Sequence, residues 1–481
     1  AERGQPTVRR VVAAPVPEIT AVPITDILAL QVARVIERER MLRRTKRVLV
    51  ALSGGPDSVA CLLVLMKLRE RFGFEIVASH FDHQLRPSSP ADLVRVRAIC
   101  GGLGIECVTG EGDVRSMAQD TRQSIELAAR TMRYQFLAFA AGKELADAIA
   151  TGHTADDQAE TVLMRIVRGS GVRGVRGMLP VSGVPGSEAQ RLIRPLLELT
   201  RADTLAICAE AGVVPIADES NADLAHTRNR VRLETFAALR ALNPSVDQSI
   251  IGLAASAREL FQGVERQVMA LVPQKRGPIG AVLPLSDVAG LPNEGLIVLL
   301  EREASFYKLT AEVNRTRVNN LRAVLTKGNG RVRFGPSEVE ASLGLVRIGP
   351  ALGSVDPFDS AILNVPGSTR AGPWRVDAAT DPLPETTGAM SLAIDTRNQH
   401  GALRARPVAA GDRLLYHGMR RRVADVLTGA RIPVWERTGM VAIADSEKVL
   451  GLFGATCALA ADSAEGSLLY VRLSQLSPTK A

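Results

Sequence analysis

The chain has 481 residues, 46% of them hydrophobic and 23% charged, which is enough to bury more than one core, so two or three globular domains are expected. No run approaches the roughly 18 to 20 uninterrupted apolar residues of a membrane span, and the opening residues lack a contiguous apolar signal core, so the expectation is a cytoplasmic protein with no membrane partner. Lysine plus arginine outnumbers aspartate plus glutamate by 59 to 51, a net +8 that fits a polyanionic partner, while five scattered cysteines, never spaced C-x-x-C, argue against a disulfide framework, a zinc finger or an iron–sulfur site.

Residues 1–24 are rich in Pro, Val and Ala without a period and read as a flexible extension. A helix follows, with Thr25 and Asp26 able to cap it and Ile27, Leu30, Val32, Val35 and Ile36 on a broken apolar face. Val48 to Leu52 then has the length and β-branched content of a buried strand, and Val59 to Leu68 is apolar nearly all round, as in a helix on a parallel sheet. Between them lies Ser53-Gly54-Gly55-Pro56-Asp57-Ser58. Two glycines let the backbone turn sharply, Pro56 is preset for a first helical turn, and the free amides there face an anion. The corner lacks the G-x-x-x-x-G-K-S/T spacing and its lysine, so another group must offset phosphate charge, and Asp57, able to hold magnesium, is the candidate metal ligand.

Three more strand-like runs, Glu75 to Phe81, Ile105 to Thr109 and Ala146 to Ala150, are separated by helical segments of crossover length. The expected fold class is therefore α/β, a doubly wound parallel sheet spanning residues 25–235. Ligands of such sheets sit at the carboxyl ends of the strands, where Ser53, His80 and His153 fall. Metal ligation by His80, Asp82 and His83 is disfavoured, because a histidine at a strand end more often bonds a backbone or a nucleotide. On the helix from Ser124 to Ala140, Arg130 and Arg133 share a face whose forked guanidinium groups suit phosphate.

The next loop, Thr151 to Thr161, opens a helix. Thr154 can cap it and Asp157 suits the helix dipole, but capping leaves Glu160 unexplained. Asp157 and Glu160 are three residues apart, so their carboxylates share a face that attracts a cation. Arg165, Arg168, Arg173 and Arg176 follow, interleaved with glycines, in a loop that suits RNA phosphates.

The hexapeptide SGGPDS resembles the PP-loop of the ATP pyrophosphatase superfamily, the adenine nucleotide alpha hydrolase-like enzymes that cut ATP between its α and β phosphates to adenylate an oxygen. Together with HFDHQLR, GHTADDQAETVLMRIVRGSG, LIRPLL, DESNAD and RNRVR, in that order, it makes residues 47–232 similar to the tRNA(Ile)-lysidine synthetase family. The resemblance implies adenylation of the wobble cytidine of a tRNA(Ile) with anticodon CAU, then attack by free L-lysine. It assigns ATP to Ser53, Gly54, Gly55, Pro56, Asp57 and Ser58 and magnesium to Asp57, and the strand-end positions of His80 and His153 put these two with the ATP-binding residues. It gives Asp157 and Glu160 to the lysine and its amine, and adds Asn221 and Arg232 to the catalytic set. Arg130 and Arg133 match the E-x-A-A-R-x-x-R-Y helix, and with Arg168 and Arg173 are expected on the tRNA. The stretch from Leu233 to Leu239 departs from the family pattern, which has a histidine and a proline there.

Residues 236–330 read as helical, with breaks near Pro273 and Pro278, and the resemblance implies a domain that positions the tRNA. Residues 331–385 read as a β-containing linker, and residues 386–481 as a small α+β C-terminal domain. Between Gly401 and Met440 stand eight arginines against three acids, with Arg413, Arg420, Arg421 and Arg422 at the centre. A solvated face would explain them, but their concentration favours phosphate contact, as in the C-terminal domain of longer lysidine synthetases. The rivals are another PP-loop enzyme, a tRNA thiolase or an amidating synthetase, and a non-catalytic tRNA-binding protein. A homodimer stays open.

Overall fold

The computed structural model describes residues 8–11, 26–85, 89–216, 227–352, 358–384, 386, 389–397, 399–437, 439–454, 458–460 and 467–475. The chain divides into two compact units, residues 1–261 and 262–481.

The first unit is built on one seven-stranded sheet. Its strands are β1 (Val8–Val11), β2 (Arg47–Ala51), β3 (Glu75–Asp82), β4 (Cys107–Glu111), β5 (Ala148–Thr151), β6 (Val181–Val184) and β7 (Ser187–Ile193), in the spatial order β1-β4-β3-β2-β5-β7-β6. The five from β4 to β7 run parallel, while β1 and β6 close the two edges antiparallel. The helices of this unit are α1 (Asp26–Arg38), α2 (Pro56–Phe72), α3 (Ser89–Gly102), α4 (Val114–Thr121), α5 (Ile125–Lys143), α6 (Ala155–Val167), α7 (Val172–Val175), α8 (Arg201–Glu210), α9 (Thr227–Arg230) and α10 (Phe236–Leu242), and α11 (Val246–Ala270) begins in this unit and ends past residue 261.

Strand alternation splits the core in two. Val48, Val50 and Leu52 face one layer with α1, α2, α3 and α8, while Leu49 faces the other with Tyr134, Phe136 and Leu137 of α5. Helix α2 is buried almost continuously from Ser58 to Leu65, and each fully buried Leu or Val side chain there is worth about 1.5–3 kcal/mol. The sheet is thus doubly wound as expected, with the strand ends carrying Leu52, His80 and Thr151 at one edge. The carboxyl ends of β2 and β5 are adjacent, and this brings the two loops of interest together.

In the second unit a five-stranded antiparallel sheet is made by Lys275–Gly277, Gly280–Pro284, Gly330–Phe334, Ser337–Ser342 and Leu345–Pro350. Leu296, Leu299 and Leu300 of helix Asn293–Phe306 and Leu321 and Leu325 of helix Arg315–Lys327 belong to its core. A seven-stranded and a four-stranded sheet follow, with short helices Val423–Gly429 and Val434–Arg437. Among the described residues no helix is long and apolar enough to cross a membrane.

Three segments differ from expectation. Val8–Val11, within the extension read as flexible, pairs with β4 from Val8↔Gly110 to Val11↔Cys107. The proline–glycine break at 273–280 is a hairpin inside the region read as helical, its Gly277↔Gly280 pair closing the two-residue turn Pro278-Ile279. Gly280 has φ +133°, and a Cβ there would meet Ile348 O at 2.7 Å, so glycine is what lets the neighbouring strand approach. Residues 331–385 are not a linker, because their strands belong to sheets that also take residues from before and after them.

Candidate active site

The phosphate-loop corner is locked from within. Gly54 holds φ +88°, and a Cβ on it would lie 2.3 Å from Ile216 Cδ1, while Ile216 N donates to Gly54 O at 2.9 Å. The Ser58 hydroxyl donates to Gly55 O at 2.9 Å and accepts from Ser53 N and Ser53 Oγ, both at 3.1 Å. Ser58 thereby shapes the loop with its own side chain. Gly55 caps α2 without a side-chain hydrogen bond and Pro56 opens the helix, so the first-turn amides of a 17-residue helix are left for an anion.

Asp57 stands in that first turn. Its Oδ1 accepts from Thr204 Oγ1 of α8 at 2.5 Å. Burial pushes the Asp57 carboxyl above its ordinary value and the Asp157 charge adds to this, against the opposing pull of Thr204, Arg201 and Arg232. Among the described residues no three His, Cys, Asp or Glu side chains gather into a metal cage. Magnesium commonly takes one or two carboxylates and completes its shell with substrate phosphates and water, so a single aspartate beside amides that accept phosphate fits it.

The loop after β5 lies directly on this corner. A Cβ on Gly152 would stand 2.3 Å from Asp57 O and 2.8 Å from Ser58 N, so the two backbones meet where only glycine fits. His153 Nδ1 lies 2.8 Å from Thr151 Oγ1, and burial pulls the imidazole down to about 3, leaving it neutral. His80 is also buried, with Nδ1 2.9 Å from Leu52 O. A carbonyl only accepts, so Nδ1 carries the hydrogen and Nε2 is left as an acceptor. Burial lowers its pKa too.

Asp157 and Glu160 do lie on one face of α6, and each has partners the sequence did not announce. Asp157 Oδ2 accepts from Thr154 N at 3.0 Å, completing a capping box, while Oδ1 takes Arg228 Nη2 at 2.8 Å. Glu160, 3% exposed, takes Arg228 Nε on one oxygen at 2.7 Å and Arg232 Nε on the other at 2.5 Å. Arg228 and Arg232 sit one helical turn apart, the first in α9 and the second in a π-helical turn, Val231–Thr235, located where the sequence leaves the family pattern. For Arg228, burial opposes the charge but is outweighed by Asp157 and Glu160, which raise its pKa. The result is a cluster of two carboxylates and two guanidinium groups at the edge of the phosphate loop.

Of the remaining expected residues, Arg130 and Arg133 flank the Tyr134 ring, with Cζ 5.0 and 5.4 Å from its centroid. Arg168, at the end of α6, and Arg173, in α7, are exposed. Arg413 and Arg420 to Arg422 lie far away in sequence, on a hairpin of the second unit, where Arg413 pairs with Arg422. Asn221, the DESNAD block and Arg86 fall outside the described residues. Sequence reasoning missed Arg228 and Thr204 as individual site residues. The i,i+4 arginines of RNRVR were a usable signal for the first. A threonine in the second turn of an ordinary helix gave none for the second.

A strand–glycine corner–helix at the carboxyl edge of a parallel sheet, with carboxylates on the helix that follows the neighbouring strand, defines a PP-loop nucleotide-binding protein, and a family model described as a PP-loop domain matches residues 25–239. A tRNA(Ile)-lysidine synthase of Thermotoga sp. is 30% identical over 416 residues, covering 85% of this chain and 90% of that protein. One from Dehalococcoides mccartyi is 38% identical over 232 residues, 48% of this chain and 49% of the relative, so that alignment spans about half of the relative's length. A U34-tRNA thiolase structure from Methanococcus maripaludis is 16% identical with a TM-score of 0.41, covering 49% of this chain and 81% of that one. The chain belongs to the tRNA(Ile)-lysidine synthase family.

Proposed function

We propose that this chain is an ATP-dependent carbon–nitrogen ligase that joins L-lysine to the wobble cytidine of a tRNA(Ile) with anticodon CAU, through an adenylated cytidine, releasing AMP and pyrophosphate. What carries the reading is the carboxylate–guanidinium cluster of Asp157, Glu160, Arg228 and Arg232 beside the phosphate loop, in a chain of the lysidine synthase family.

In the first step the base's carbonyl oxygen attacks the α phosphorus, the bond to the β-phosphate oxygen breaks, and pyrophosphate leaves. The α2 amides and the loop from Ser53 to Ser58 hold the phosphates, with a developing charge that faces the helix N-terminus. Asp57, oriented by Thr204, would hold magnesium, whose charge offsets that of the phosphates when bound. His80 and His153, both neutral, line the edge as hydrogen-bonding groups and not as cations. In the second step lysine must lose a proton before its amine can attack the adenylated carbon and expel AMP. Asp157 and Glu160 bind the ammonium by charge-assisted bonds and one of them takes the proton. Because both acids already hold arginines, the incoming ammonium competes with Arg228 and Arg232 for the same oxygens. Asn221 belongs to this set by motif alone.

Arg130, Arg133, Arg168 and Arg173 contact tRNA phosphates in this reading, as do Arg413 and Arg420 to Arg422. Thiolation is disfavoured because the sequence holds no C-x-x-C pair and, among the described residues, Cys61, Cys100, Cys107 and Cys208 are all buried, with burial pushing the Cys61 thiol up to about 12. A cytoplasmic location goes with a tRNA substrate. The test is incorporation of radiolabelled lysine into CAU-anticodon tRNA with and without ATP. Incorporation that requires ATP is expected, and none with ATP present overturns the proposal.

A further inference from the structure

Helix α6 carries a second set of polar side chains besides Asp157 and Glu160. Gln158 is buried and leaves the helix roughly 100° round from Asp157, to close on one residue of the chain that follows α7. Its Oε1 accepts from Met178 N at 2.7 Å and its Nε2 donates to Met178 O at 3.1 Å, so one side-chain amide takes both backbone groups of Met178, as a neighbouring strand would. Arg165, two turns further along the same face, donates from Nη1 to Gly174 O at 2.9 Å and to Gly177 O at 2.7 Å. Gly177 holds φ +68° between these two grips, and a Cβ there would stand 2.6 Å from Gln158 Oε1, so the close approach requires glycine.

Residues 168–178 thus form a closed ring on one helix. The ring leaves α6 where Gly169 N and Ser170 N still bond Ile166 O and Arg165 O, and it returns to α6 at Gln158. Arg168 and Arg173 stand exposed on it. With glycine at 169, 171, 174 and 177 the segment has little stiffness of its own, because glycine gives up the most conformational freedom on ordering. Its place is fixed by side chains of α6, the helix that also carries Asp157 and Glu160.

We infer that Gln158 is a positioning residue, which sets the loop that meets the RNA in register with the carboxylates that hold the lysine. The inference rests on the proposed function, in which Arg168 and Arg173 meet tRNA and Asp157 and Glu160 meet lysine, and adds a residue that touches neither substrate. Register matters because a misplacement of about 1 Å costs on the order of 100-fold in rate. Each molecule of product needs the base in register twice, once at the α phosphorus and once at the amine. Water needs no register. When the amine is late, water attacks the adenylated carbon, AMP leaves and the cytidine returns, so pyrophosphate has been released without lysidine. The phosphate loop is held independently of the clamp, by bonds among Ser53, Gly55 and Ser58 and by Ile216. Loss of the clamp therefore loosens the base against the amine and leaves the ATP site as it is.

The test uses the full-length chain with CAU-anticodon tRNA, ATP and lysine, and measures lysidine and pyrophosphate in the same reaction. Gln158→Met keeps the side chain's length and removes both bonds, while Gly177→Ala spoils the same contact from the loop side and decides the matter by itself where Gln158→Met fails to fold. In each, lysidine per pyrophosphate should fall at least about tenfold below the wild-type ratio, the KM for tRNA should rise about tenfold, and the KM for ATP should stay within about twofold. The double variant should lose little more than either single one, as two halves of one contact do. A merely structural role would lower the melting temperature and reduce lysidine and pyrophosphate in proportion, and that result, or a wild-type ratio in a folded variant, overturns the inference. A wild-type chain that incorporates no lysine refutes the proposed function and takes this inference with it, whereas wild-type incorporation with unchanged variant ratios refutes the inference alone.

Discussion

Asp157 divides its work between its two carboxylate oxygens, one closing the capping box with Thr154 and the other pairing with Arg228. Capping and chemistry are therefore not rival explanations of this residue, and an isosteric change separates them. Asp157→Asn keeps an oxygen for the cap and loses the charge that holds an ammonium, while Glu160→Gln removes the charge and keeps one acceptor oxygen, enough for one of Arg228 and Arg232. Each variant should still release pyrophosphate from ATP with tRNA present, and should need at least about tenfold more lysine, the equivalent of one charge-assisted bond. Wild-type lysine kinetics with only a lowered melting temperature would reduce the pair to a structural latch for Arg228 and Arg232. His153 makes a different prediction. Its pKa lies near 3 in the fold against an ordinary 6.5, so below 6.5 the unfolded chain binds a proton that the native chain refuses. Stability is fully present above that pH and falls as pH drops from 6.5 toward 3, by on the order of a few kcal/mol. His153→Gln should flatten this acid limb, seen as a smaller shift in urea midpoint between pH 7.5 and pH 5 than the wild type shows.

At the scale of elements, the junction of β5 with α6 and the corner between β2 and α2 act as one piece, because Gly152 lies against Asp57 and Ser58 backbone atoms and not against yielding side chains. Gly152→Ala forces one loop away from the other. We expect about 1–3 kcal/mol of destabilisation and a raised KM for ATP, measured by thermal melts and pyrophosphate release, and an unchanged KM would uncouple the two loops. This contact was not legible in the sequence, since nothing in Thr151-Gly152-His153 says what faces it. The parallel strands were legible because a strand buried on both faces is apolar throughout, as in Val48-Leu49-Val50. The β6–β7 hairpin was not, since Ser187-Glu188-Ala189-Gln190-Arg191 carries no strand pattern. Helical breaks at Pro273 and Pro278 were visible as breaks, but a chain break and a hairpin turn use the same residues. In the site, motif spacing reached Asp57, Asp157, Glu160 and Arg232 one by one. What it did not carry was their pairing, because the Arg228 and Arg232 bonds join segments about 70 positions apart.

Taken whole, the molecule spreads its excess of positive charge over two units that each have their own core, and the basic hairpin of the second unit is the test of whether that charge is functional. Strands Arg413–Tyr416 and Met419–Arg422 set Arg413 opposite Arg422 and Leu415 opposite Arg420, and Met419 through Arg422 are all exposed. Like charges directly across a hairpin destabilise it in isolation, so a purely structural account of these arginines has to carry a cost that a bound polyanion would remove. Arg420 Nη2 reaches Glu447 O at 2.9 Å, a neutral acceptor that leaves its charge unmatched. Phosphate contacts of this kind act through counterion release, so their loss shows in the salt dependence of affinity more than in which sequence is preferred. Replacing Arg420, Arg421 and Arg422 together by Ala should weaken tRNA binding and flatten the slope of log K against log salt by up to about 3, one unit per contact. Exposed side chains on a hairpin contribute little packing, so the melting temperature should stay near wild type or rise slightly as the repulsion is relieved. Lysine incorporation at saturating tRNA should be preserved, since none of the three belongs to the carboxylate cluster. A slope equal to that of the wild type, with tRNA affinity unchanged, would make the hairpin a solvated face and leave the first unit to bind the RNA alone.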